Sequence, residues 1–270
     1  MRRRLFFIAI LALATATATG TALAAAKFED TMAQRVQACT GCHGPQGRAA
    51  SDGYYPRIAG KPAGYLYNQL LSFRDGRRQY GLMNQLLSSL TDHYLREIAE
   101  HFASLDVAYP KPQVATTSVD ALSRSETLVL HGDAARRIPA CVQCHGNALL
   151  GVAPAIPALI GMPRDYLNAQ LGAWRTGNRQ APAPDCMAQI AKALAPEDIG
   201  ALSQWLAAQP GPRSAKLGGA TGAVAGALAD PSAGASADGS ADGLATPLPI
   251  RCGGVPDGAA KPGAKREVKL

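Results

Sequence analysis

The sequence predicts an all-α protein built as a tandem repeat of two helical domains, on three observations. A pentapeptide of the form Cys-x-x-Cys-His occurs twice in the chain of 270 residues. The segments that follow the two copies resemble each other at a nearly constant offset. In the last segment of each copy, apolar residues recur at the spacing of an amphipathic helix.

The two pentapeptides occupy residues 39–43 and 141–145. Two thiols three residues apart match the two vinyl groups on one edge of a porphyrin, and the histidine that follows can coordinate the iron. Each copy therefore predicts one covalently attached haem c, so the chain is expected to carry two. The predicted attachment sites are Cys39, Cys42, Cys141 and Cys144, and the predicted axial ligands include His43 and His145.

Two other uses of a Cys-x-x-Cys pair are a zinc half-site and a redox disulfide. A zinc site would need four ligands in one cluster, whereas the two motifs lie 102 residues apart in the chain. A thioredoxin-like disulfide has no use for the histidine that follows the pair. The repetition of the complete motif favours haem attachment.

The repeat extends well beyond the pentapeptides. A Pro-x-x-x-Gly segment at 56–60 recurs at 157–161, and a Tyr-Leu-x-x-Gln-Leu pattern that begins at residue 65 recurs at residue 166. The offset is 101 residues here and becomes 104 near the end of the copies, which indicates a small loop insertion in the second copy. Two domains of one architecture are therefore predicted.

Each copy is expected to contain two main helices. The central helices are predicted over 62–74 and 163–175, because each segment begins at a proline, which suits a first helical turn, and ends near a glycine. The last helices are predicted over 91–104 and 196–208 from their apolar spacing. Domains this small bury little apolar surface alone, so a haem is expected at the centre of each core.

A low-spin electron carrier needs a second axial ligand on each iron. Met83 lies 40 residues after His43. Met187 lies 42 residues after His145, so the two methionines occupy equivalent positions in the repeat. A core methionine is the alternative, but it need not recur at the same position. His/Met pairs would fill both faces of each iron, which favours an electron-transfer protein over an enzyme.

Further residues are candidates for contacts around the haems. The main-chain carbonyls of Pro56 and Pro157 can accept a hydrogen bond from the second ring nitrogen of the ligating histidines. Arg74 and Arg175 end the two central helices. They either contact haem propionates or lie exposed at the helix ends, and the sequence leaves both interpretations open.

The N-terminus has the pattern of a secretory signal over residues 1–24, with a basic start, an apolar core and a cleavage site after Ala24 or Ala26. The apolar core is shorter than the roughly 20 residues of a membrane-spanning helix. An uncleaved anchor is the alternative. Export to the periplasm, with no membrane span in the mature chain, is therefore predicted.

The net charge argues against nucleic acid as a partner. The full chain has 27 basic and 20 acidic residues, a formal charge of +7. Loss of the three arginines in the predicted signal would leave +4. The propionates of two haems would bring the total close to neutrality, so only local patches could steer a partner.

These motifs together resemble the di-haem cytochromes c of the cytochrome c4 family over about residues 27–208. The resemblance implies two class I cytochrome c domains, at 27–108 and 119–210, joined by a proline-containing linker at 109–118. It implies that they face each other across a pseudo-twofold axis, each wrapped around one covalently attached haem.

The same resemblance implies a function. Such proteins carry electrons in the periplasm between a quinol-oxidising complex or a dehydrogenase and a terminal oxidase. A cytochrome subunit of a periplasmic dehydrogenase is the alternative. A haem enzyme, such as a peroxidase or a thiosulfate-oxidising cytochrome, is a third and would need one iron to lose its methionine.

Two features depart from the family pattern. Residues 211–245 are rich in Ala, Gly and Ser and are predicted to be disordered. Residues 246–270 begin with a short apolar stretch that contains Cys252, and Cys186 directly precedes the predicted ligand Met187. In an oxidising compartment a Cys186–Cys252 disulfide is predicted, which would dock this segment over the second haem. Two unrelated cysteines are the alternative.

Overall fold

The computed structural model describes residues 29–50, 53–212 and 248–255. The predicted signal segment and most of the predicted disordered tail lie outside these ranges. In chain order the elements are α1 Met32–Arg35, α2 Gln37–His43, the 3-10 helix η1 Pro45–Gly47, α3 Ala63–Arg74, α4 Gly81–Leu87, α5 Asp92–Ser104, α6 Val119–Leu130, α7 Cys141–His145, β1 Gly151–Val152, β2 Ile156–Pro157, α8 Arg164–Thr176, α9 Cys186–Ala193 and α10 Pro196–Ala207.

The four predicted helices are confirmed, each within one residue at either end. Helices α3 and α8 start directly after Pro62 and Pro163, which occupy the N-cap positions. The side chain of Thr91 caps α5 by accepting a hydrogen bond from the main-chain N–H of Tyr94. Helix α8 ends at Gly177, whose left-handed conformation (φ 80°) favours glycine. None of the described helices is long and apolar enough to cross a membrane.

Helices α1–α5 form a first half and helices α6–α10 a second half, each with its own apolar core. In the first half α3 packs on α5, and the core includes Leu66, Phe73, Leu95 and Phe102. In the second half α8 packs on α10, and the core includes Leu167, Leu171, Leu202 and Leu206. The two cores use equivalent faces of equivalent helices, as a tandem repeat requires.

The halves meet through the segments that follow their central helices. Arg78 and Arg179 form an isolated antiparallel bridge, and the N–H of Gln79 donates to the carbonyl of Asn178 at 2.8 Å. Because equivalent segments of the two copies contact each other, the interface has the reciprocal character of a pseudo-twofold arrangement.

Some elements were not predicted from the sequence. Two short helices, α4 and α9, carry Met83 and Met187. Asp185 caps α9, since its side chain accepts a hydrogen bond from the N–H of Ala188 at 2.9 Å. The second half also contains a two-residue antiparallel pair, β1 and β2. These elements leave the fold class unchanged, because the protein is otherwise helical.

Candidate haem sites

The first half encloses a cavity of about 480 Å³ that brings the predicted haem residues of that half together. Cys39, Cys42 and His43 line it from helix α2, and Met83 lines it from helix α4. The remaining lining is mainly apolar and comes from α3, α4 and α5, from the chain at 54–58 and, across the interface, from α8. Residues separated by 40 positions in the sequence therefore share one cavity of the kind that a haem needs.

The second half repeats this arrangement around a cavity of about 180 Å³. Cys141, Cys144 and His145 line it from α7, and Met187 lines it from α9. The other walls come from α8, from the chain at 155–162, from residues 248–255 and, with Leu202 and Leu206, from α10.

Both predicted proximal histidines are oriented in the same way. The Nδ1 atom of His43 lies 2.8 Å from the carbonyl oxygen of Pro56, and that of His145 lies 2.8 Å from the carbonyl oxygen of Pro157. A carbonyl only accepts, so Nδ1 donates and Nε2 keeps its lone pair for a metal. Burial lowers the pKa of both imidazoles, which favours the neutral form that binds iron. The two predicted carbonyl contacts are confirmed.

The four motif cysteines form no disulfide with one another, which leaves them available for haem attachment. Burial raises the pKa of Cys141 to about 11 and raises that of Cys39 and Cys144 as well. Across residues 29–50, 53–212 and 248–255, no three His, Cys, Asp or Glu side chains come together as a zinc site would demand.

Arg74 and Arg175 line neither cavity, which favours the interpretation that places them at the helix ends over contact with haem propionates. Arg74 donates to the carbonyl of Leu90 at 3.1 Å, and Arg175 donates to the carbonyl of Leu194 at the equivalent position. Both side chains thus tie the end of a central helix to the chain that follows a methionine-bearing helix.

Two other arginines, Arg78 and Arg179, are buried at the interface between the halves. Arg78 donates to the hydroxyl of Tyr166 at 2.9 Å and to the side-chain oxygen of Gln170 at 2.6 Å. Arg179 makes the equivalent contacts in the other direction: it donates to the hydroxyl of Tyr65 at 3.2 Å and to the side-chain oxygen of Gln69 at 3.0 Å. The sequence carried a signal for this network, because all six residues recur at an offset of 101.

Lys61 is a third buried cation at this interface and has no counterpart, because Met162 occupies its repeat position. Its nearest hydrogen-bond acceptor is the carbonyl of Ala158 in the other half, at 3.5 Å. Burial lowers the pKa of Lys61 to about 8. Among the described residues that line either cavity there is no Asp or Glu. Buried cations without protein carboxylates suit the acidic edge of a haem.

The predicted disulfide is confirmed: Cys186 and Cys252 are bonded, with their Cα atoms 5.1 Å apart. Residues 248–255, here called the covering segment, line the second cavity with Leu248, Ile250 and Val255. The N–H of Gly253 donates to the carbonyl of Pro184 at 2.8 Å.

The covering segment also reaches the first half. The side-chain amide of Asn68 on helix α3 donates to the carbonyl of Gly254 at 2.8 Å. The disulfide thus holds an apolar piece of chain against the methionine side of the second cavity, with one further hydrogen bond across the interface between the halves.

Known proteins provide an independent comparison. No protein-family model matches the sequence. A protein named thiosulfate dehydrogenase electron acceptor from Thiomonas intermedia is 36% identical over 173 residues, which covers 64% of this chain and 79% of that protein. Cytochrome c4 of Pseudomonas aeruginosa is 32% identical over 174 residues, and the match covers 84% of that protein.

Solved structures agree with these relatives. Reduced cytochrome c4 from Pseudomonas stutzeri matches with a TM-score of 0.55 and 29% identity, over 65% of this chain and 95% of that one. A thiosulfate dehydrogenase chain from Marichromatium purpuratum matches with a TM-score of 0.56 and 33% identity, but this protein spans only 36% of its length. The chain therefore belongs to the cytochrome c4 family of di-haem electron-transfer cytochromes, with two class I cytochrome c domains and two covalently attached haem c groups.

Proposed function

We propose that this cytochrome is a periplasmic electron carrier in which His43 and Met83 ligate one haem iron, and His145 and Met187 the other. The observation that supports it is that each pair lines one cavity together with its own Cys-x-x-Cys motif. With imidazole on one face and thioether on the other, neither iron has an open position for a substrate. The chain accordingly acts as a carrier and not as an enzyme.

Bound haem supplies the iron that alternates between the ferric and ferrous states. The residues of the chain bind and orient it: the cysteines fix one porphyrin edge, and the Pro56 and Pro157 carbonyls hold the histidine rings through Nδ1. Methionine ligation favours the ferrous state and so gives both haems a higher potential than bis-histidine ligation would.

Electron transfer between the haems is supported by residues that line both cavities, which places the cavities side by side at the interface. The shared residues are Lys61, Tyr65, Gln69, Tyr166, Gln170 and Arg179. All of them are polar, and four of them carry a phenol or a cation that can bind a carboxylate of either haem.

The proposed electron donor is a dehydrogenase that oxidises thiosulfate, and the proposed acceptor is a terminal oxidase. Two relatives carry the name thiosulfate dehydrogenase electron acceptor, at 36% and 37% identity to this chain. Other relatives at about 30% identity are named cytochrome c4, which keeps a quinol-oxidising complex as the alternative donor.

A direct test mixes the oxidised di-haem protein with a thiosulfate dehydrogenase and thiosulfate under anaerobic conditions. We expect reduction of both haems, two electrons per chain, followed by absorbance in a stopped-flow spectrometer. Omission of the dehydrogenase is the control and should leave the cytochrome oxidised. Failure of the complete mixture to reduce the cytochrome would overturn the proposed donor.

A further inference from the structure

Helices α4 and α9, which carry the two methionines, have equivalent faces that differ in their exposure to solvent. Leu82 on α4 and Cys186 on α9 occupy equivalent repeat positions, as do Leu86 and Ile190. In the first half Leu82 is 61% exposed and Leu86 is 42% exposed. In the second half both counterparts are only partly exposed, because the covering segment lies over that cavity.

The second half shows what this face accepts as a cover. Leu248, Ile250 and Val255 of the covering segment line the cavity, and the disulfide to Cys252 holds them there. The contact is apolar, apart from main-chain hydrogen bonds such as that of Gly253 with Pro184. The protein thus closes one of two equivalent redox faces with its own apolar chain and leaves the other uncovered within the described structure.

The uncovered face is here called the open face and consists of Tyr54, Leu82 and Leu86, all of which line the first cavity. Tyr54 is 52% exposed. Residues 79–90, which include helix α4, contain no charged side chain. An exposed apolar group of this kind, adjacent to a redox cavity, is typical of a binding surface rather than of general protein surface.

We propose that the open face is the surface on which the redox partner protein docks, and that this partner presents an uncharged, apolar surface of its own. The proposal rests on the carrier function above. Because the equivalent face of the second half is covered, electrons enter and leave the molecule through the first haem. The second haem exchanges electrons with the first across the interface.

The charge pattern sets the kind of partner. A face without charged groups gains nothing from opposite charges on a partner, so association depends on the burial of apolar surface. We therefore expect the rate of reduction by the partner to vary little with ionic strength, whereas electrostatic docking is weakened strongly by salt.

The test introduces charge on the open face. The variant Leu82→Lys/Leu86→Lys places two ammonium groups in the proposed contact. The matched control, Val114→Lys/Val119→Lys, changes two apolar residues that are 84% and 80% exposed and line neither cavity. Stopped-flow reduction by a thiosulfate dehydrogenase and thiosulfate is measured for both, with dithionite as a small reductant that needs no docking surface.

The open-face variant should lose about tenfold or more in second-order rate with the dehydrogenase, because its charges must be desolvated at the contact. The control should stay within about twofold of wild type, and dithionite should reduce all three proteins at similar rates. Equal rates of the open-face variant and wild type with the dehydrogenase would overturn the proposal, as would an equal loss in the control.

A rescue variant provides a second, independent measurement. The substitution Cys186→Leu gives the second half a leucine, as at the equivalent position 82 of the first half. It also removes the disulfide that holds the covering segment. Added to the open-face variant, it should restore part of the lost rate through the second haem. The Met–iron charge-transfer band verifies that both haems remain ligated. No recovery with an intact band would contradict the assignment of the covered face.

Failure of the proposed docking surface can be distinguished from failure of the proposed donor. If the dehydrogenase does not reduce wild type, the donor is wrong, and the open face is then tested by electron self-exchange between oxidised and reduced copies, observed by NMR line broadening. We expect the open-face variant to exchange more slowly than the control, and equal exchange would overturn the proposal. If the wild type forms a dimer that the open-face substitutions dissociate and the control substitutions do not, a second copy of the chain occupies the open face. That result would also overturn the proposal.

Discussion

The two halves of the molecule share one haem-binding plan and differ in what lies over the methionine side. In the first half Leu82 and Leu86 are exposed, whereas in the second half a disulfide and an apolar segment occupy the same place. Both halves keep the predicted haem-binding residues, but where the first half has Leu82 the second has Cys186, which bonds to Cys252. A cysteine at this position, together with the segment that carries Cys252, thus makes two equivalent faces unequal.

The largest effects are expected from the methionines, whose loss would break the equivalence of the two sites. Met83→Ala should lower the potential of the first haem, and Met187→Ala that of the second, each on the order of 100 mV within the ~0.8 V range that axial ligands span. The measurement is a potentiometric titration together with the Met–iron charge-transfer band. Met32→Ala, at a methionine that packs against the first core, is the control and should keep both bands.

Removal of the disulfide should make the halves more alike. Cys186→Ser/Cys252→Ser opens a loop with a sequence separation of 66 residues, worth about 4 kcal/mol in a chain-entropy model. Denaturant unfolding should show that loss of stability. The second haem, now more exposed to water, should fall in potential while the first stays constant. A fall in both potentials, or in neither, would contradict the role of the covering segment.

Lys61 should act on both haems, because it lines both cavities. Reduction of an iron removes positive charge, so a nearby ammonium favours the reduced state. Lys61→Met, which copies its repeat counterpart Met162, should lower both potentials by roughly tens of millivolts at pH 7.

The pH dependence has a definite sign. Burial lowers the pKa of Lys61 to about 8, whereas a haem carboxylate beside it raises the pKa again, so the wild-type charge is lost as the pH rises above about 8. The two wild-type potentials should therefore fall over that range of pH and approach those of Lys61→Met. Potentiometric titrations at several pH values check this, and an unchanged difference between the proteins at high pH would show that Lys61 does not titrate there.

The smallest effect is expected at the hydrogen bond that joins the covering segment to the first half. Asn68→Ala removes the donor to the carbonyl of Gly254 and should cost about 1 kcal/mol of unfolding free energy. Gln85→Ala, on the exposed surface of α4, is the control. A loss equal to that of the disulfide variant would mean that the hydrogen bond, and not the covalent link, holds the segment.

Local patterns made much of the fold predictable. Proline positions and apolar spacing located helices α3, α5, α8 and α10 to within one residue at either end. The short helices α4 and α9 escaped prediction, since seven or eight residues with a glycine or proline nearby carry little periodicity. Met83 and Met187 could still be proposed as ligands, because the repeat marked their positions independently of secondary structure, and each lines its cavity.

The sequence was least informative about long side chains. Arg74 and Arg175 were candidates for propionate contacts, but each found a main-chain carbonyl 16 or 19 residues further along the chain. Arg78 and Arg179, which were not singled out, lie at the interface because their partners come from the other half. A flexible arginine side chain reaches whichever acceptor the tertiary structure brings near, and its position in the sequence does not reveal which one.

The sequence was sufficient to predict two haems, their attachment sites and the pairing of Cys186 with Cys252; of these, the number of haems and the disulfide are confirmed. Attachment needs only residues three and four positions apart, and the pairing needed only a count of the cysteines left over. The tertiary structure added that the equivalent face of the first half is exposed and that the covering segment also bonds to the first half. That outcome depends on contacts between residues as far apart as Asn68 and Gly254, which are separated by 186 positions. Such contacts exist only once the two halves have packed together.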